Sequence, residues 1–177
     1  AGWAYLEAGM PDAAKDHFER AASLAPDHFG GHRGLGALAM RDGNPEAAEG
    51  HLRRAYELEP DHPGVAADLA AVYVDAGHPE QAVPLAEHAA ARAPRRPEFL
   101  FSLAEVYLAA DDFDAAREAA EQGRARARGD DDFAGAADEL RARAALLEID
   151  ARMAGVLDGA ACDEVAALRA EADAALA

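Results

Sequence analysis

Apolar residues late in the chain step by four and three: Phe133, Ala137, Leu140, Ala144, Leu147, Ala151 and Ala154. That spacing is the stripe of an amphipathic helix. Asp130, Asp131 and Asp132 open it at the end where the helix dipole favours negative charge. No glycine breaks the stripe where a repeat would turn, which predicts one long helix to about Leu157. Asp158-Gly159 then turns the chain into a closing helix with Val165, Leu168, Ala172 and Leu176 on one side. Before Gly129 the pattern restarts in blocks. Each block holds two short helical patterns, in the first three blocks separated by a glycine and closed by a proline.

The blocks share one period. Pro26, Pro60 and Pro94 stand 34 residues apart, as do Ala14, Ala48, Ala82 and Ala116. Gly9, Gly43 and Gly77 keep the step and Asp111 follows them; Tyr5, Ala39, Tyr73 and Tyr107 form another column. In GMPDAA, GNPEAA and GHPEQA a glycine ends one helix. Proline then opens the next, where its missing N–H costs nothing. The fourth block has DDFDAA, with an Asp cap in place of proline. Alanines at the Ala14 column let paired helices approach closely, and Leu35, Leu69 and Leu103 fill the space beside them.

These columns resemble the tetratricopeptide repeat (TPR) family of 34-residue helix–turn–helix units. The resemblance covers about residues 1–128, as units 1–28 (incomplete at its start), 29–62, 63–96 and 97–128. It is strongest in the second and third units; in the fourth, Gly123 and Arg128 replace the family's Ala and Pro. It implies an all-α, right-handed α-solenoid whose first helices line a concave groove. Residues 129–177, the long helix and the closing helix, are then expected to cap the array at its C-terminal end. Ala1 to Tyr5 align with the middle of a first helix, as in a fragment or processed part of a longer protein.

Composition agrees with this architecture. Apolar residues make up 51% but aromatics only 6%, so the core must be largely Ala and Leu, which suits close-packed helices. The net charge of −17 is spread along the chain and opposes binding to nucleic acid or anionic lipid. No apolar run approaches the roughly 18 residues of a membrane span. Cys162 is the single cysteine, too few for a disulfide or a CxxC pair; it reads as a cap residue. A cytoplasmic location is favoured over a periplasmic one.

The stretch FGGHRGLGALAM, Phe29 to Met40, invites a phosphate-loop reading and fails it. Gly31 and Gly36 have Walker-like spacing, but Ala37-Leu38 stand where Lys and Ser/Thr must reach phosphate and magnesium. Gly36 instead falls in the family's glycine column, where the two helices of a unit nearly touch. The seven histidines assemble no metal site. His17 and His51, like His28 and His62, are one repeat apart, roughly 10 Å as helices pack. They read as surface or packing residues. No nucleophile, base and oxyanion set is present, and no cofactor or metal is expected.

Projected onto first helices, Trp3, Leu6, Arg33, Met40, Arg41, Asp68, Val74, Asp75, Phe101, Glu105 and Leu108 are expected to line or rim the groove. Leu6, Met40, Val74 and Leu108 share a column that also serves the core between units. The family's clamp for acidic tails needs several basic and amide residues. The corresponding slots hold Arg33, Ala37, Asp68, Glu98 and Ser102, so an acidic C-terminal tail does not fit them. The expected function is a non-catalytic adaptor for a protein or peptide with an apolar side and some basic residues. The alternative is an accessory, substrate-positioning domain of a larger enzyme such as a glycosyl- or sulfotransferase.

Overall fold

The computed structural model describes residues 1–127 and 135–146, and among them every regular element is helical. The chain divides into two compact units, Ala1–Ala93 and Pro94–Ala177. The first contains α1 (Gly2–Glu7), α2 (Pro11–Leu24), α3 (Phe29–Arg41), α4 (Pro45–Leu58), α5 (Pro63–Asp75) and α6 (Pro79–Arg92). The second contains α7 (Pro97–Ala109), α8 (Phe113–Ala127) and a helical stretch over residues 135–146.

Local chemistry sets the helix boundaries. Pro11, Pro45 and Pro79 open the second helices of the first unit. Their preceding turns repeat one backbone arrangement. Gly9, Gly43 and Gly77 take φ of +72°, +69° and +77°. The next residue then donates back to the Tyr5, Ala39 or Tyr73 carbonyl at 2.8–2.9 Å. That six-to-one bond satisfies a carbonyl which the helix end leaves without a partner. The fourth turn makes the same bond, Asp112 N–H to the Tyr107 carbonyl at 3.0 Å. There a non-glycine residue, Asp111, carries the positive φ of 58°. Asp112 then caps α8, its Oδ1 accepting from Ala115 N–H at 3.1 Å, as the sequence suggested. Asn44 caps α4 in the same way.

Two apolar clusters anchor the first unit. Phe18 packs with Ala14 and Leu38, flanked by Tyr5, Leu6 and Leu35. Leu52 packs with Ala48, Leu69 and Val72, flanked by Ala39, Met40, Tyr56, Tyr73 and Leu85. The glycines of the Phe29–Met40 stretch lie in α3, and Gly31, Gly34 and Gly36 are buried in its packing. A Cβ on Gly34 would fall 2.2 Å from the Phe18 ring, and one on Gly36 would fall 2.5 Å from Leu52. Gly31 faces the α2 backbone itself, 2.6 Å from the Ala22 nitrogen. The stretch is a helix-packing surface.

In the second unit, α7 is buried along Phe99, Leu100, Phe101, Leu103, Ala104, Val106 and Leu108. Ala137, Leu140 and Ala144 are buried on the 135–146 helix, matching the apolar stripe. Arg124–Asp138 at 2.9 Å and Arg141–Glu121 at 3.5 Å tie that helix to α8. Phe133, Leu147, Ala151, Ala154, the extension to Leu157, the closing helix and Cys162 lie outside the described residues.

Candidate partner-binding surface

The three first helices of the first unit are joined by a ladder of side chains. The Arg33 guanidinium of α3 lies 4.9 Å from the Trp3 ring of α1. Its Nε donates to Asp68 Oδ2 of α5 at 2.7 Å. Gly64, at the start of α5, makes room for it: a Cβ there would meet Arg33 Nη2 at 2.6 Å. Trp3 also meets Phe18 edge-on with centroids 5.3 Å apart, so its ring sits between a core phenyl and a cation while remaining 39% exposed. Burial pushes the Asp68 carboxyl above its ordinary range, a shift that Arg33 opposes. His62 is pushed down, first by burial and then by Arg33.

The remaining expected contact residues divide by exposure. Arg41 and Asp75 are exposed at the last positions of α3 and α5. Leu6 and Met40 are half-buried against the Phe18 and Leu52 clusters, and Val74 is also half-buried. In the second unit Glu105 is exposed. Phe101 and Leu108 are only 8% and 5% exposed, and the Phe101 ring approaches α8 at Gly123. These two side chains, expected as groove anchors, are core residues of that unit.

Other residues acquire roles that the sequence did not disclose. His28 and His62 are helix caps: Nδ1 accepts from Gly30 N–H at 3.1 Å and from Val65 N–H at 3.2 Å. His32 and His51 meet across α3 and α4 with Nδ1 atoms 3.4 Å apart. Comparing histidines one repeat apart does not test that pairing. The His32 pKa is lowered by burial, then by His51 and Arg54. In the turns after α2 and α4, Asp27 pairs with Arg54 at 3.5 Å, and Asp61 pairs with Arg92 and lies 3.8 Å from His88. Three clefts of the first unit, lined in part by His17, His51 and Tyr73 respectively, include none of the expected groove residues. Among the described residues, no group of three or more His, Cys, Asp or Glu is placed to hold a metal ion. None of the described helices is long and apolar enough to cross a membrane.

Helical hairpins with one turn chemistry, packed through small residues at a 34-residue period, define an all-α repeat protein of the solenoid class. Tetratricopeptide repeat profiles match residues 1–28, 39–83 and 73–144, and the chain belongs to the tetratricopeptide repeat family. No curated protein matches it in sequence. Among solved structures it is similar to a thermophilic TPR protein of Thermus thermophilus, at 22% identity and TM-score 0.67, covering 99% of this chain and 95% of that one. MamA from Desulfovibrio magneticus RS-1, residues 41 to the end, is similar at 16% identity and TM-score 0.69, with 87% and 85% covered. An O-GlcNAc transferase of Thermobaculum terrenum shares 26% identity at TM-score 0.60 over 70% of this chain, but only 24% of its own length. The TPR fold is one of protein–protein interaction, and repeat proteins of this family are generally non-catalytic scaffolds.

Proposed function

We propose that the chain is a non-catalytic adaptor that holds a peptide or helical segment of a partner protein along its first helices. The observation that carries this reading is the Trp3–Arg33–Asp68 ladder, which joins three successive first helices into one surface. Leu6, Met40 and Val74 offer partly accessible apolar area there, and Arg41 and Asp75 offer charges at the helix ends. On the second unit, taken by itself, Glu105 is an exposed carboxylate. A partner with an apolar side and some basic residues complements this set. Because Arg33 is committed to Asp68, the accessible charges set orientation and on-rate, and the apolar contacts supply affinity. No cofactor enters this reading.

Affinity capture from the native proteome, with the parent and with Asp75→Arg and Met40→Glu variants, tests it. Loss of the same captured protein in both variants, with helicity unchanged, supports the surface; equal capture by all three refutes it. The partial likeness to an O-GlcNAc transferase favours a second reading, an accessory domain that positions substrate for a catalytic domain. A transferase domain in the flanking reading frame, with glycosylation of the captured protein, would select that reading.

A further inference from the structure

The turn between the two helices at a repeat boundary changes sign once along the chain. Pro26-Asp27-His28 and Pro60-Asp61-His62 become Pro94-Arg95-Arg96. In the first two turns, the aspartate faces a basic residue 27 positions later, Arg54 or His88. In the third, position 95 is cationic and position 122 is the neutral Gln122. The histidine cap is lost as well, since Arg96 makes no side-chain cap bond to α7. A cation next to a helix N-terminus opposes the dipole, so this substitution serves neither the cap nor the helix.

The second unit places Arg95 beside another arginine. Pro94, Arg95, Ala125 and Arg126 line one cleft of about 650 Å³. Neighbouring arginines have carboxylates of their own: Arg96 meets Glu98 at 2.6 Å, Arg124 meets Asp138 at 2.9 Å, and Arg117 meets Asp114. Among the described residues, Arg126 bonds only to Gln122, through its carbonyl and side-chain oxygens, at 3.4 and 3.2 Å. Arg95 is exposed and, among the described residues, has no ion pair. Arg126 sits in the last turn of α8, where the dipole favours it, but that account does not reach Arg95. In a chain of net charge −17, two guanidinium groups therefore share a cleft without an acid from the described residues.

We infer that this cleft is a second docking site, one that takes a carboxylate-rich segment of a partner protein. Guanidinium groups bind carboxylates through paired, charge-assisted hydrogen bonds. The chain's overall negative charge works against a long polyanion, and among the described residues the lining holds no aromatic ring on which a nucleic-acid base could stack. A short acidic peptide meets the local cations while staying within about one Debye length, roughly 8–10 Å, of them. The site uses α7's leading turn and α8's end, and it shares no residue with the Trp3–Arg33–Asp68 surface.

Fluorescence anisotropy of a labelled hexaglutamate peptide with the full chain at low salt tests this. The expected result is saturable binding that weakens as salt rises. Affinity should fall roughly tenfold in Arg95→Asp, which restores the acid of the other two turns, and in Arg126→Gln, as expected for loss of one charge-assisted contact. Arg20→Asp makes the same charge change at an exposed position outside the cleft and should leave affinity within about twofold. Circular dichroism confirms that each variant keeps its helicity. No binding of hexaglutamate, an equal loss in Arg20→Asp, or tighter binding of a single-stranded oligonucleotide overturns the inference. Asp75→Arg should not weaken hexaglutamate binding, so this result and the capture result can fail independently.

Discussion

Gly31→Ala and Gly50→Ala are the same chemical change in neighbouring helices, and the structure assigns them opposite signs. A Cβ at position 31 would lie 2.6 Å from the Ala22 nitrogen, 2.9 Å from its Cα and 3.1 Å from the Ala21 carbonyl carbon. Ordinary carbon contacts begin near 3.5 Å, and these obstacles are backbone that cannot rotate away. α2 and α3 must therefore separate by an appreciable fraction of an ångström. A gap of that size forfeits about a quarter to a half of the dispersion well across an interface, here the one containing Ala14, Phe18 and Leu38. Overpacking of this kind costs about 1–3 kcal/mol, and the helix propensity of Ala over Gly returns about 1. Gly31→Ala should thus lose up to about 2 kcal/mol net. Gly50, exposed in α4 with nothing within 4 Å of its would-be Cβ, should gain about 0.5–1 kcal/mol from propensity alone. Urea unfolding at 25 °C, followed by far-UV circular dichroism, measures both; should the two units unfold separately, the shift belongs to the transition of the first. A Gly31→Ala midpoint raised above the parent's, as expected for Gly50→Ala, would refute the close approach of α2 to α3.

Asp111→Gly should raise stability by about 1 kcal/mol, because Asp111 holds a φ of 58° that a side chain disfavours; a lower thermal midpoint would contradict this. Phe101→Ala should cost about 3–5 kcal/mol as a core truncation, read by urea unfolding; a change below about 1 kcal/mol would return Phe101 to the surface. The lowered pKa of His32 makes its neutral form the stabilising one. Its contribution is complete above its ordinary pKa of 6.5 and is lost as pH falls through the lowered folded value. The parent should therefore lose more stability between pH 7.5 and 5 than His32→Asn does, and parallel profiles for the two would argue against the effect.

The fold was legible because its signals are local. Gly9, Gly43 and Gly77, each followed two residues later by a proline, specify a turn whose hydrogen bonds close within six residues. The same column logic placed Gly36 against its partner helix from the sequence alone. The surface was less legible, because a periodic projection assigns faces but not pairings. Arg33 and Asp68 both point to the expected face, yet they satisfy each other across 35 residues. Phe101 falls on a face position in the projection, but its ring turns toward the small Gly123. The Arg95–Arg126 cleft was hidden for a related reason. Charge counted over long segments averages away two arginines that only the packing of α7 on α8 brings together.

Trp3 is the single tryptophan of the chain, and it lies 4.9 Å from a guanidinium carbon and edge-on to Phe18. The indole emission of the whole protein therefore originates at one end of the proposed binding surface. A ligand covering that ring would move its fluorescence to the blue, and release of Arg33 from its face would change its intensity. The chain thus carries a label-free optical probe of occupancy, one that needs no engineered dye and reports on the surroundings of Trp3.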